Sequence, residues 1–316
     1  MTAIDKSGYV TCVTLGAAAF LASVCARAQV ATANPPSASA SPPPAIRAFV
    51  GIIDGHEVGG VSVDMIGNVY AADFGDIVWR ITPEGERTVF ASGMYGTSGN
   101  AIDSAGNVLQ ASFYSDTIVR VDRKGEDKPF ATRGLSGPAG IALHRQSGAA
   151  YVTNCRTNTV VKVDGSGNVT PFASSPLFKC PYGIAMDRQQ NYLYAVNYND
   201  NQMLRIDGKG VVQPFATVSA KGLAHLCFKN DRFYVTAFQS HEVYEVTLDG
   251  KVKRILGNGE RGMVDGTGEA ARLSFPMGIA CHPWAPRLYV NEEPNELGAL
   301  PRRSTIRVIT LGALTQ

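Results

Sequence analysis

Several common catalytic signatures are missing from this chain. It has no Gly-rich phosphate loop, no dinucleotide fingerprint, no Cys/His spacing suited to zinc and no recognisable Ser-His-Asp arrangement. Nucleotide hydrolysis, nicotinamide chemistry and the usual zinc hydrolases are therefore not its first readings, and no organic cofactor is expected. Charge is also scarce: charged residues form 18% of the 316, and the formal net charge is +2. The concentrated basic face that nucleic acid requires is not expected. Helical periodicity is absent, and short apolar runs bounded by Gly, Asn, Asp and Pro take its place. What the chain has in quantity is glycine, at 33 residues, and hydrophobic side chains, at 45%. That composition suits a large core connected by many tight turns.

The first residues read as targeting rather than fold. Lys6 precedes an apolar run from Tyr9 to Ala26, and Ala26-Arg27-Ala28 has the small-residue spacing of a signal-peptide cleavage site. Cleavage is expected before Gln29, giving a periplasmic or secreted protein. An uncleaved membrane anchor is the alternative, since the run is close to the ~17–25 residues that span a bilayer. Residues 29–45 are rich in Pro, Ala and Ser and read as a semi-rigid spacer.

Internal repetition is the main signal. Six copies occupy residues 60–91, 99–131, 140–173, 183–216, 225–257 and 278–311. Each reads as a short strand A, a turn, a strand B ending in a polar residue, a strand C and a strand D ending near Phe-Ala. Four short strands in a repeat of about 40 residues predict an all-β, six-bladed β-propeller spanning 46–316. The sixth copy stops after strand C. Residues 46–51 (Ile-Arg-Ala-Phe-Val-Gly) resemble the strand D of the first copy and are expected to complete that blade, closing the ring without an open sheet edge. A closed ring needs no partner, so a monomer is expected. Strand C carries Arg80, Arg120, Lys162 and Arg205 at equivalent places, read as the solvent face of each blade rather than a binding rim.

The segment D-x-x-G-N-V-Y-A-A-D at 64–73, followed by I-V-W-R-I-T-P-E-G at 77–85, resembles NHL repeats, as does the stretch 257–280. It is also similar to gluconolactonase-like (SMP-30) and streptogramin-lyase-like propellers. The gluconolactonase-like resemblance implies a divalent cation held partly by Asn or Asp before strand A. The corresponding residues here are Gly59, Ser98, Ala139, Tyr182, Ala224 and Met277, none of them Asn or Asp. The streptogramin-lyase-like resemblance implies a His entering strand A paired with a Glu ending strand B. Glu292 matches the Glu, and Met277 falls at the His.

Antiparallel A and B strands place the start of A and the end of B at one edge of the blade, around the mouth of the central channel. The ends of strand B read Asp73, Ser112, Asn154, Asn197, Ala237 and Glu292. Asp73, Asn154, Asn197 and Glu292 offer oxygens of the kind that Ca²⁺ or Mg²⁺ prefers. The starts of strand A read Gly60, Gly99, Gly140, Gly183, His225 and Gly278, so His225 puts one titratable group where the other blades have glycine. His225 and Glu292 are the expected acid/base residues. Tyr182, His56, Glu57, Asn291 and Glu293 are the expected substrate contacts. Three readings stay open: a metal-assisted hydrolase or lyase acting on a lactone- or ester-like small molecule, a non-catalytic module binding a protein, peptide or glycan, and a structural propeller of the cell envelope.

Of six cysteines, Cys12 and Cys25 fall in the targeting segment. Cys155 follows strand B of the third copy and Cys180 precedes strand A of the fourth, on the same edge of adjacent blades, so a Cys155–Cys180 disulfide is expected. Cys227 and Cys281 lie one residue out of step in strands A of copies five and six. Period-two alternation sends them to opposite sheet faces, and two buried free thiols are expected.

Overall fold

The computed structural model describes residues 42–53, 58–293 and 303–312. His56 and Glu57 lie outside them. Six antiparallel sheets follow one another, each formed in strand order A-B-C-D. Blade 1 comprises Val61–Val63, Val69–Ala72, Val78–Ile81 and Arg87–Ala91. Blades 2 to 5 begin with strands A at Thr97–Ile102, Pro138–Leu143, Pro181–Met186 and Leu223–Lys229. In blade 6, strands Ile279–Cys281, Arg287–Glu292 and Arg303–Thr310 are joined by Ala45–Ile53, which pairs antiparallel with Arg303–Thr310 from Ala45↔Thr310 to Ile53↔Arg303. The N-terminal strand closes the ring, as the truncated sixth repeat predicts. A short strand, Gly266–Thr267, from the insertion before blade 6 adds beyond it.

The turns explain the repeat motif. In D-x-x-G-N, Asp64 Oδ1 accepts the N–H groups of Ile66 and Asn68, and Asn68 Nδ2 donates to Asp64 Oδ2 at 2.8 Å. Asp103 with Asn107, and Asp164 with Asn168, repeat the arrangement. Gly67 takes φ +95° there, a conformation that costs a side-chain-bearing residue.

The core is distributed between blades. Val78 and Tyr70 of blade 1 pack with Val108 and Val121 of blade 2, and equivalent apolar clusters fill each junction round to blades 6 and 1. Neighbouring blades thus meet through opposite faces of their sheets. This corrects the expectation for Cys227 and Cys281. Side chains on opposite faces of equivalent strands are the ones that face each other across a junction. Both cysteines border the cluster between blades 5 and 6 and form a disulfide, with Cα atoms 5.7 Å apart. The expected Cys155–Cys180 disulfide is also present and joins blades 3 and 4 at the mouth edge. Of the strand C cations, Arg120 stacks on Phe130 at 3.8 Å and Arg205 on Tyr192 at 4.8 Å, on the outer part of each blade.

Candidate functional site: the channel mouth

Strands A approach one another at the ring axis. A Cβ on Gly60 would lie 2.5 Å from Gly99 Cα, and one on Gly183 would lie 2.7 Å from His225 Cα. Glycine at five of the six positions is what allows this approach. Side chains of strand B then latch each blade to the next. Thr153 Oγ1 donates to Tyr182 O and Thr236 Oγ1 to Met277 O, both at 2.5 Å. Asn291 Nδ2 donates to Gly59 O at 2.9 Å, and its Oδ1 accepts Gly278 N–H at 2.6 Å. Asn291, an expected substrate contact, is therefore the latch that joins the last blade to the first.

His225 fills the axis. A Cβ on Gly99, in blade 2, would lie 3.0 Å from its Cε1, and its ring meets that of Tyr182 edge-on at 5.2 Å. Its Nε2 is buried with no hydrogen-bond partner, and burial depresses its pKa to about 4. The imidazole is neutral at physiological pH.

The polar ends of strand B do not form a shared cation site. Asn154 Oδ1 accepts Ser136 N–H at 3.1 Å, Asn197 Oδ1 accepts Lys179 N–H at 3.0 Å, and Glu292 Oε2 accepts Ser274 N–H at 3.2 Å. In each case the donor lies 18 residues earlier, in the loop entering strand A of the same blade. Asp73 Oδ1 accepts the N–H groups of Gly75 and Ile77 and the Thr97 hydroxyl. These oxygens hold loops, and they face N–H and O–H donors, the wrong polarity for sharing a cation. Among the described residues no three His, Cys, Asp or Glu side chains gather as metal ligands. The residues present do not fit a divalent cation held by all four.

Glu292 has a second commitment. It is fully buried, and Arg307 Nη1, also buried, lies 3.3 Å from its Oε2. Arg307 continues to Asp265 Oδ1 at 2.8 Å and to the carbonyls of Arg272 and Val264, both at 2.9 Å. Burial pushes the Glu292 carboxyl up to about 7 against the pull of Arg307. This network fastens the 257–276 insertion to blade 6. The described contacts of His225 and Glu292 are separate, so the structure does not bring them together as an acid/base pair. Glu293, next in the chain to Glu292, is also buried, its carbonyl accepting the Ser274 hydroxyl at 2.5 Å.

One residue beyond the polar ends of strand B stands a feature that sequence reasoning missed. That column reads Phe74, Phe113, Cys155, Tyr198, Phe238 and Glu293. With Tyr182 and Phe275 it forms a continuous aromatic run around the mouth. Ring centroids are 5.8 Å apart for Phe74–Phe113, 6.4 Å for Phe113–Tyr182, 5.4 Å for Tyr182–Tyr198, 6.3 Å for Tyr198–Phe238 and 5.1 Å for Phe238–Phe275. Arg156 lies over Phe113 at 4.8 Å and Arg261 over Phe275 at 5.0 Å. The exposed rings of Tyr95 and Tyr114 extend the run outward beside Phe74. Phe74 and Phe275 sit in the left-handed backbone region, at φ 55° and 49°, uncommon for bulky side chains. The repeat alignment holds this signal, one column past the residues chosen for charge.

No protein-family model matches the chain, and no curated protein matches it. Solved structures do. A gluconolactonase from Xanthomonas campestris superposes with TM-score 0.65 at 15% identity, covering 89% of this chain and 99% of that one. An auxiliary nutrient binding protein from Bacteroides ovatus gives 0.69 at 16%, covering 84% and 76%. A catalytically inactive virginiamycin B lyase from Staphylococcus aureus with quinupristin gives 0.58 at 16%, covering 81% of each. This chain has their fold. It is a six-bladed β-propeller, and at these identities the likeness is one of architecture, which does not carry an activity with it.

Proposed function

We propose that this propeller is an extracytoplasmic binding module whose channel mouth takes a small ligand with a flat ring surface, either an aryl group or the apolar face of a sugar. The continuous aromatic run from Phe74 to Phe275 carries this reading. Phe113, Tyr198 and Phe238 pack around the buried Tyr182 and are themselves only partly buried. Partly exposed rings on a rigid scaffold are suited to stacking on flat ligands, and the strained backbone at Phe74 and Phe275 is the kind of local cost retained at functional positions. Two disulfides accord with an oxidising compartment. The expected proton-moving residues of a hydrolase or lyase are Glu292 and His225. Glu292 is turned to Arg307 and Ser274, and His225 is neutral and buried at the axis, so the contacts of these two residues favour the binding reading.

The test is saturation-transfer NMR with two ring probes, p-nitrophenyl glucoside and N-acetyl-tyrosine amide. Transfer to the ring protons is expected, with affinity falling roughly twofold to tenfold in Phe113→Ala or Tyr198→Ala, the ~0.5–1.5 kcal/mol of one aromatic contact. Tyr192→Ala, at the opposite edge of blade 4, leaves it unchanged. Absence of transfer with both probes, or equal transfer in all variants, refutes the reading.

A further inference from the structure

At the edge opposite the mouth, the A–B turns differ sharply between blades. Those of blades 2 to 5 carry Ser104-Ala105, Arg145-Gln146-Ser147, Arg188-Gln189-Gln190 and Asn230-Asp231. Blade 1 carries Met65-Ile66 and blade 6 carries Trp284. These three side chains are 60%, 77% and 67% exposed. Their exposure is built in. Trp284 Nε1 donates to Met65 O at 2.9 Å, across the junction between blades 6 and 1. His282 Nδ1 accepts the N–H groups of Trp284 and Ala285, both at 3.1 Å, and Lys229 Nζ donates to His282 O at 2.7 Å. The indole is thus fixed on the outside rather than tucked into the core. The charges of Lys229 and Arg287 both act on His282 beneath it, beside the single carboxylate of Asp64.

Connectivity singles out the same place. Ala45 and Arg287 both pair with Thr310, so the chain preceding residue 45 joins the ring at this edge, in the blade that carries Trp284. That preceding chain includes the apolar run Tyr9–Ala26.

We propose that the edge formed by blades 6 and 1 rests on a lipid bilayer, with Trp284, Ile66 and Met65 in the interfacial layer and Lys229 and Arg287 toward the headgroup phosphates. The channel mouth, at the opposite edge, then faces away from the membrane. Tryptophan favours the interfacial level, and exposed apolar side chains with neighbouring cations are what holds a protein there. Three side chains bind weakly alone. On the alternative reading of Tyr9–Ala26 as an uncleaved anchor, that segment raises their effective concentration at the bilayer surface. No helix among the described residues is long and apolar enough to cross a membrane, so contact through this edge is peripheral.

Trp79 and Trp284 are the two tryptophans, which makes the test local. The full chain is reconstituted with vesicles of equal parts phosphatidylcholine and phosphatidylglycerol, with or without brominated acyl chains. In Trp79→Phe, the remaining Trp284 emission is expected to shift to shorter wavelength and lose most of its intensity to the brominated lipid. Trp284→Phe shows neither effect, and its difference from the unsubstituted chain gives the same information if Trp79→Phe fails to fold. Ile66→Ser with Met65→Ser reduces the quenching severalfold. Trp284 emission left unquenched in protein that sediments with the vesicles overturns the proposal. A lipid-free blue shift that grows with protein concentration overturns it in favour of a second copy covering the patch. One independent of concentration does so in favour of the chain's own N-terminal segment.

Discussion

The imidazole of His225, carried by blade 5, lies against Gly99 of blade 2, so that one side chain bridges the axis of the ring. Five glycines bring the strands close, and the sixth position supplies the group that fills what they leave. His225 Nε2 has no hydrogen-bond partner there, so its neutrality is set by burial, without a polar partner to hold a charge.

Stability should report this burial. The pKa of His225 is depressed to about 4 in the folded chain, against an ordinary value near ~6.5 when unfolded. Between those values the unfolded state binds more protons, so this contribution is complete above about pH 6.5 and is lost as pH falls toward about 4, by ~3 kcal/mol in all. Urea denaturation at pH 7 and pH 4 checks it. In His225→Leu the difference between the two pH values should shrink by about that amount. An unchanged difference would show that the imidazole is not desolvated.

The Glu292–Arg307 pair makes the second prediction. Arg307→Met strands a buried carboxylate and should cost about 3–5 kcal/mol. Because burial already holds Glu292 near 7, its ionisation is penalised in the fold, and the loss in Arg307→Met should deepen as pH rises from about 4.5 through 7. Replacing both, as Arg307→Met with Glu292→Leu, should recover most of it. Denaturant midpoints across that pH range measure the effect. A double variant as unstable as Arg307→Met alone would place the cost elsewhere in the network.

Divalent cations provide the third. With the oxygens of Asn154, Asn197 and Glu292 bound to backbone N–H groups of their own loops, Ca²⁺, Mg²⁺, Mn²⁺ or Zn²⁺ added after EDTA should leave the melting temperature unchanged. An ion saturating a site a hundredfold would add about 2.7 kcal/mol and raise the midpoint by several degrees. Such a rise, abolished by Asn154→Ala, would restore the cation reading.

Much of the fold is legible in the sequence because each blade is local. Strands within a blade are close neighbours in the chain, and their turn residues, such as Asp64 and Asn68, identify themselves by spacing. The missing strand D of the sixth copy points to 46–51 by simple counting. The site is harder to read. Asp73, Asn154, Asn197 and Glu292 stand out in the repeats as polar residues ending apolar strands, and that pattern suits loop-holding and metal-binding equally well. Only the donors facing them distinguish the two. The aromatic column beside them carries no charge and reads as core until the blades are set in a ring.

The sequence by itself determined the number of blades, the strand that closes them, the Cys155–Cys180 link and the placing of His225 where other blades have glycine. All of these follow from position within a repeat. The tertiary structure alone decided the Cys227–Cys281 disulfide, the turning of Glu292 toward Arg307, the ring contacts along the aromatic run and the meeting of Met65 with Trp284. Each depends on which face of one blade meets its neighbour. A repeat fixes the geometry inside a blade, whereas contacts between blades arise from packing that joins residues far apart in the chain.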